Sequence, residues 1–237
     1  MNSRQHEWLL RSEIFLSWLV LLALLYYTYL DIVEAPYIGF NYNASTGDVL
    51  LLYDIESQAD LRLGDVLVKV GDLSFDRWRN DLRAPLFPSF SGGETLHLEV
   101  LRDGQPVSLD WRVPGFNSDE FESRLVNGWW LGYFFWLTGL ATLLLVRPLD
   151  SKRSLFVAFF FLTALWVVVG NTSRWGHGES RIVYRVALCL SVPVLLHLHW
   201  LFPRPLGKIP ATLLWLLYGL SVIVAALHWT PYIGSGV

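Results

Sequence analysis

The sequence contains a single cysteine, Cys189, set inside an apolar run. No disulfide within the chain and no cysteine-built metal site can form. Charge is also scarce: Asp, Glu, Lys and Arg make up 16% of the residues, against 53% hydrophobic ones. That balance excludes an ordinary soluble domain of this length. No His-Glu-x-x-His occurs, which removes the helix-borne zinc site of a metalloprotease. The serine pattern Gly234-Ser235-Gly236 lies outside every apolar run, where an intramembrane nucleophile cannot sit. The net charge of −3 is unevenly spread: positions 31–126 hold 17 acidic and 8 basic side chains, the remainder 4 and 10. An acidic central region argues against nucleic acid as a partner.

What is present in quantity is apolar sequence. Runs at 14–30, 128–146, 154–170, 182–202 and 211–229 each approach the ~20 residues that a membrane helix needs. Tyr26, Tyr27, Tyr29, Trp129, Trp130, Trp200 and Trp229 sit near run ends, where aromatic rings favour the membrane interface. The first run lacks a small-residue cleavage site, so an uncleaved anchor is expected rather than a signal peptide. Arg4 and Arg11 in the 1–13 tail, Arg147 to Arg153, and Arg204 to Lys208 form short basic segments. The positive-inside rule assigns these to the cytoplasm and the acidic region to the outside, with the 230–237 tail. Arg174, Arg181 and Arg185 run against that assignment.

Residues 34–116 form the one long water-compatible stretch. Leu61-Arg62-Leu63-Gly64-Asp65-Val66-Leu67-Val68-Lys69-Val70-Gly71-Asp72 predicts a strand between two turns, with Val66, Leu67 and Val70 inside. Asp48 to Tyr53 predicts another strand, and Phe75 to Leu82 a short amphipathic helix. Thr95 to Leu101 alternates at period two and meets Pro106 to Val113 across Arg102-Asp103-Gly104-Gln105, a hairpin signal.

Leu61 to Leu67 resembles the Gly-Asp step of bacterial PDZ domains, and Tyr37-Ile38-Gly39-Phe40 their carboxylate-binding loop; Tyr37 and Leu61 stand where the family has glycine. The fold class implied is a multi-pass α-helical membrane protein with an inserted small PDZ-like α+β, mostly β, extracytoplasmic domain. The resemblance implies a peptide groove formed by Tyr37, Ile38, Gly39, Phe40, Val49, Leu51, Trp78 and Leu82. A ligand strand would add to the edge of the strand at 48–53, or the chain itself would fill the groove. One span, this domain and a further bundle resemble the membrane input region of bacterial sensor histidine kinases, among them quorum-sensing kinases of the competence type. The kinase's histidine and glycine boxes are absent, so no catalysis is expected here, and the chain reads as the input portion of something longer or as a piece of a larger assembly. The partners implied are an extracellular peptide or small ligand, membrane lipid, and a second copy in a homodimer; no cofactor, metal or nucleic acid is expected. The competing expectation is a non-signalling membrane adaptor or scaffold that grips protein tails.

Three further features stand out. Arg174, Arg181 and Arg185 are candidates for coupling the acidic domain to the helices, with Glu34 or Glu122 as partners for Arg185. A charge within a span is costly unless it pairs or snorkels. His177, Glu179 and His228 form at most a weak metal site, and His197 and His199, two apart, do not share a helix face. Asn43-Ala44-Ser45 and Asn171-Thr172-Ser173 have glycosylation-acceptor spacing, and Pro193 is placed to kink the fourth span.

Overall fold

The computed structural model describes residues 3–53, 61–87, 90–148 and 150–230. Beyond Thr230 the expected outer tail lies outside the described residues. The chain divides into two units. A helical unit takes the chain through Thr28, then Gly128–Asn171, and resumes at Ser180. A sheet unit takes Tyr29–Asn127 and, from far along the sequence, Thr172–Glu179.

The helical unit contains α1 (Ser3–Tyr29), α4 (Trp130–Leu145), α5 (Ser151–Ser173), α6 (Ser180–Leu201) and α7 (Ala211–Trp229). Among the described residues, five helical stretches are long and apolar enough to cross a membrane: α1 with the turn after it, α4 with the short helix leading into it, α5, α6 with its preceding turn, and α7. The central one is α5, whose apolar window is 44% buried against 6% for α7. Close packing of α4 on α5 depends on small residues. A Cβ at Gly132 would stand 2.4 Å from Val168 Cγ2, and one at Gly139 2.7 Å from Phe161. Small residues at such contacts let membrane helices approach closely. At one end of the bundle, Arg153 donates twice to Glu13 Oε2 at 2.8 Å, and Ser154 to Glu13 Oε1 at 2.6 Å. Both charges lie at the edges of apolar runs, and pairing them offsets their desolvation.

The sheet unit begins with a π-helical turn at Leu30–Glu34, which follows α1. β1 (Phe40–Tyr42) and β2 (Val49–Leu52) pair antiparallel. β3 (Val66–Val70), β4 (Leu73–Ser74), β5 (Thr95–Arg102) and β6 (Gln105–Arg112) form a second sheet of order β4-β3-β5-β6. The predicted hairpin is present, with Arg102 opposite Gln105 across Asp103-Gly104. The predicted helix is α2 (Phe75–Asn80), where the Ser74 hydroxyl accepts from Arg77 N; Leu82 lies beyond its end. α3 (Ser118–Val126) starts at Asn117, whose side chain accepts from Asp119 N and Glu120 N. Two free helical donors are satisfied this way.

In β3, Leu67 and Val70 are buried as expected, but Val66 is only half-buried. Strict alternation cannot put residues three apart on one face. A bulge between Leu67 and Lys69 shifts the register against β5 and brings both inward.

The Gly-Asp step is fastened by charge. Buried Asp65 accepts from Arg102 Nε at 2.9 Å and Nη2 at 2.7 Å, and from Arg62 N at 2.9 Å. Burial works to raise the Asp65 carboxyl, but the Arg102 fork, the Arg62 N–H and both arginine charges outweigh it and hold it below the ordinary value. A carboxyl depressed by folding stabilises the fold above its unfolded value of ~4, and that stability is lost as pH falls through the folded value. Acid unfolding of the sheet unit, read by protease sensitivity of the whole chain below about pH 4, should therefore be shallower in Arg102→Gln than in the parent. Equal pH slopes would remove the Asp65–Arg102 pair from the acid response.

Candidate functional site

Four residues of the expected groove, Ile38, Phe40, Val49 and Trp78, are among the most buried side chains of the sheet-unit core. Leu82 is buried as well, Tyr37 is half-buried, and Leu51 is exposed. The Tyr42 ring lies edge-on to both Phe75 and Trp78, with centroids 6.5 Å apart in each case, so it occupies the space between β1 and α2. β2 is held on both edges near Val49, which pairs with Tyr42 on one side and donates to Asp65 O at 2.8 Å on the other.

The loop Tyr37-Ile38-Gly39-Phe40 needs glycine at its third position. Gly39 has φ +82°, and a Cβ there would stand 2.7 Å from Pro114 Cγ. Only glycine adopts such a backbone without strain. Its N–H donates to Glu120 Oε2 at 2.9 Å. A carboxylate thus sits on this loop, and it comes from the chain itself.

Glu120 and Arg124 are one turn apart on α3, both buried, with Arg124 Nη2 at 2.6 Å from Glu120 Oε1. The guanidinium also donates to three backbone oxygens: Asp31 at 2.9 Å, Ala35 at 3.1 Å and Pro36 at 2.7 Å. These carbonyls close the π turn that follows α1. Such termini leave carbonyls without helical partners, and a planar fork with five donors suits the task. The guanidinium carbon lies 4.1 Å from the Tyr37 ring centre and 4.7 Å from that of Trp175. Burial pushes the Tyr37 phenol above its ordinary value, against the pull of the Arg124 charge.

Trp175 belongs to the connection between α5 and α6, yet it is a core residue of the sheet unit. Its indole N–H donates to Asp31 Oδ1 at 2.9 Å, and its ring packs on Phe87 at 6.3 Å. On one side of it, Arg174 accepts at its carbonyl from Tyr42 Oη at 2.9 Å and sets its guanidinium 3.9 Å from Asp31. On the other, Gly176 has φ +77°, and a Cβ there would stand 3.2 Å from Ala84 O and Pro85 Cα. Further along, Glu179 lies 3.6 Å from Arg83. The segment at 172–179 is therefore built into the same body as β1 and the residues after α2.

The other sequence candidates fall as follows. Arg174 is in the cluster just described. Arg181, in the first turn of α6, is buried, and Arg185 is exposed on the same helix. Glu34 accepts from the Tyr29 hydroxyl. Asn43 Oδ1 accepts from Ser45 N, which makes the first glycosylation-like motif an Asx turn. His197 bonds Tyr218, while His199 and His228 bond backbone carbonyls four residues back. Among the described residues no three metal-ligating side chains gather. Glu120, Arg124, Asp31 and Trp175 were not singled out from the sequence; the Glu-x-x-x-Arg spacing after the Asn117 cap was the available signal.

An open concavity of about 540 Å³ lies between the end of β2 and α3. Leu51, Leu52, Tyr53, Asp119, Glu122 and Val126 line it. Tyr53 spans it to Ser123 with a hydroxyl contact of 2.8 Å. Asp119, Glu122, Ser123 and Val126 share one stripe of α3 by their spacing of three and four, while Glu120 and Arg124 occupy the next. One short helix thus carries both an acidic, partly apolar open wall and the buried clamp. Compared with known proteins, the chain matches no family model, no curated protein and no solved structure.

Proposed function

We propose that this chain is the membrane-embedded, ligand-sensing input region of a bacterial signalling protein of the sensor histidine kinase type. Its sheet unit is a PDZ-like extracytoplasmic domain, and its helices lie in the plasma membrane with the amino terminus in the cytoplasm. The observation that carries this reading is the double use of α3. Its open stripe, Asp119, Glu122 and Val126 with Leu51 opposite, suits a short peptide with cationic and apolar side chains. Its buried stripe clamps the chain that leaves α1 and, through the Trp175 ring, the connection between α5 and α6. A ligand acts only through its difference in affinity between two arrangements. A peptide that draws on the open stripe favours one setting of α3, and the clamp passes that setting to segments that continue into three helices. The loop that resembles a carboxylate site is occupied by Glu120, which supports a domain that holds its own chain rather than an open groove for protein tails.

The test uses the full chain in detergent with two short amidated peptides, one alternating lysine and leucine and the other glutamate and leucine. The lysine peptide should bind, and its binding should change amide exchange across 172–179. The double charge reversal Asp119→Lys, Glu122→Lys should abolish both effects. Binding that leaves 172–179 unchanged would support the adaptor in place of the sensor. Equal binding of the two peptides would overturn the ligand chemistry.

A further inference from the structure

Beside its open wall and its buried clamp, α3 carries a third stripe. Ser118, Phe121 and Leu125 follow one another by three and four residues and so share a face of the helix. The stripe bears no charge, and Leu125 is exposed. Phe116, between the end of β6 and the Asn117 cap, is 72% exposed but stands in an ordered row. Its ring centre lies 5.3 Å from that of Tyr37 and 5.7 Å from that of Phe121, both half-buried. The Tyr37 hydroxyl donates to Ile32 O at 2.8 Å, next to exposed Val33, which ties the row to the π turn. Tyr37 also carries the Arg124 guanidinium over its ring, so the row rests on the clamp.

A contiguous apolar surface that water touches marks a place of contact. What covers this one follows from its chemistry and its place in the chain. An uncharged stripe gives a polar protein surface nothing to pair with. The chain on either side runs directly into apolar helices: Val33 follows the end of α1 at Tyr29, and Leu125 precedes the start of α4 at Trp130. Aromatic rings next to the ends of spans favour the headgroup level of a bilayer. Asp119 and Glu122 flank the stripe and would meet repulsion from anionic heads.

We propose that Phe116, Phe121 and Leu125 sit in the headgroup region of the membrane that the helices cross, so that α3 lies as an interfacial helix on zwitterionic lipid. This rests on the helices spanning a membrane and not on the peptide reading.

The probe is a nitroxide on Ser118→Cys in a Cys189→Ser background, with the full chain in phosphatidylcholine nanodiscs. Ser118 shares the stripe, so the label reads its depth while Phe116, Phe121 and Leu125 stay intact. Collision with oxygen, which concentrates in lipid, should exceed collision with a water-soluble nickel chelate. The same should hold for a label on Leu220→Cys in α7. For a label on Gln105→Cys, at the other end of β6 from Phe116, nickel should dominate. Phe116→Glu should lower the oxygen-to-nickel ratio at position 118 at least threefold and leave that at 220 unchanged. Leu125→Glu should do the same, and it covers the case in which the first variant disturbs Tyr37. Phosphatidylglycerol in place of phosphatidylcholine should also lower the ratio at 118; an equal or higher value would overturn the zwitterionic preference. Water exposure at 118 with lipid exposure at 220 would overturn the patch alone. Water exposure at both would overturn the spanning helices with it. A label at 118 shielded from both reagents would mean that protein covers the stripe, and the lipid contact would be wrong.

Discussion

Replacing Arg124 by methionine should leave the sheet unit at the edge of unfolding, at a cost of about 3–5 kcal/mol from the orphaned partner charge alone. Glu120 would remain buried, and among the described residues the Gly39 N–H would be the one hydrogen bond left to its carboxylate. The carbonyls of Asp31, Ala35 and Pro36 would lose their shared donor as well. Each unsatisfied buried acceptor adds about 1–3 kcal/mol, so the sum rivals the ~5–15 kcal/mol that holds a domain of ordinary stability. Glu120→Gln in the same chain removes the stranded charge and should recover several kcal/mol. Pulse proteolysis of the full chain in urea reads both numbers from cleavage within 29–127. A single variant within about 1 kcal/mol of the parent, the net worth of an ordinary hydrogen bond, would mean that Arg124 is not the clamp.

The elements most legible in the sequence were those with local causes. The β5–β6 hairpin follows from strict alternation around Asp103-Gly104, and its register is the expected one. The apolar spans follow from length and composition, but their ends do not. α1 and α5 continue past their apolar runs to include Glu13 and Arg153, because these two residues meet each other and so tolerate the position. Read singly, Glu13 looked like a tail charge and Arg153 like a loop charge. Val66 was expected inside because it lies in the apolar run between the two turns; alternation with buried Leu67 turns it outward, and the bulge that brings Val70 inward has no local signature.

The site was legible in part. Gly39 sits where a positive φ requires glycine, and Arg174 lies in the cluster as one of three arginines singled out. Groove residues and core residues draw on the same apolar types, so pattern alone could not tell whether Val49 and Trp78 line an open cleft or fill it. Trp175 was beyond reach for a different reason. Its hydrogen bond to Asp31 joins positions 144 apart, across two apolar runs. No periodicity links such residues; only the placement of the α5–α6 connection within the sheet unit brings them together.

That placement makes Trp175→Ala the second large effect. Removing the indole opens a cavity beside Phe87, a change that costs about 3–5 kcal/mol for a buried tryptophan. It also takes the donor from Asp31 Oδ1 and an aromatic face from both Arg124 and Arg174. Trp175→Phe separates these contributions. The phenyl ring restores most of the packing but not the N–H, so the remaining loss should be about 1–3 kcal/mol, the cost of a buried acceptor left without its donor. The two variants also differ in what happens to the loop. In the alanine variant the segment at 172–179 loses its anchor, and trypsin should cut after Arg174 at least tenfold faster than in the parent, while the phenylalanine variant stays close to the parent rate. Both stability and cleavage are measured on the full chain in detergent, so the helices on either side remain in place. If Trp175→Ala matches the parent in both, the connection is not part of the sheet-unit core, and the route from α3 to the helices that continue from it is broken.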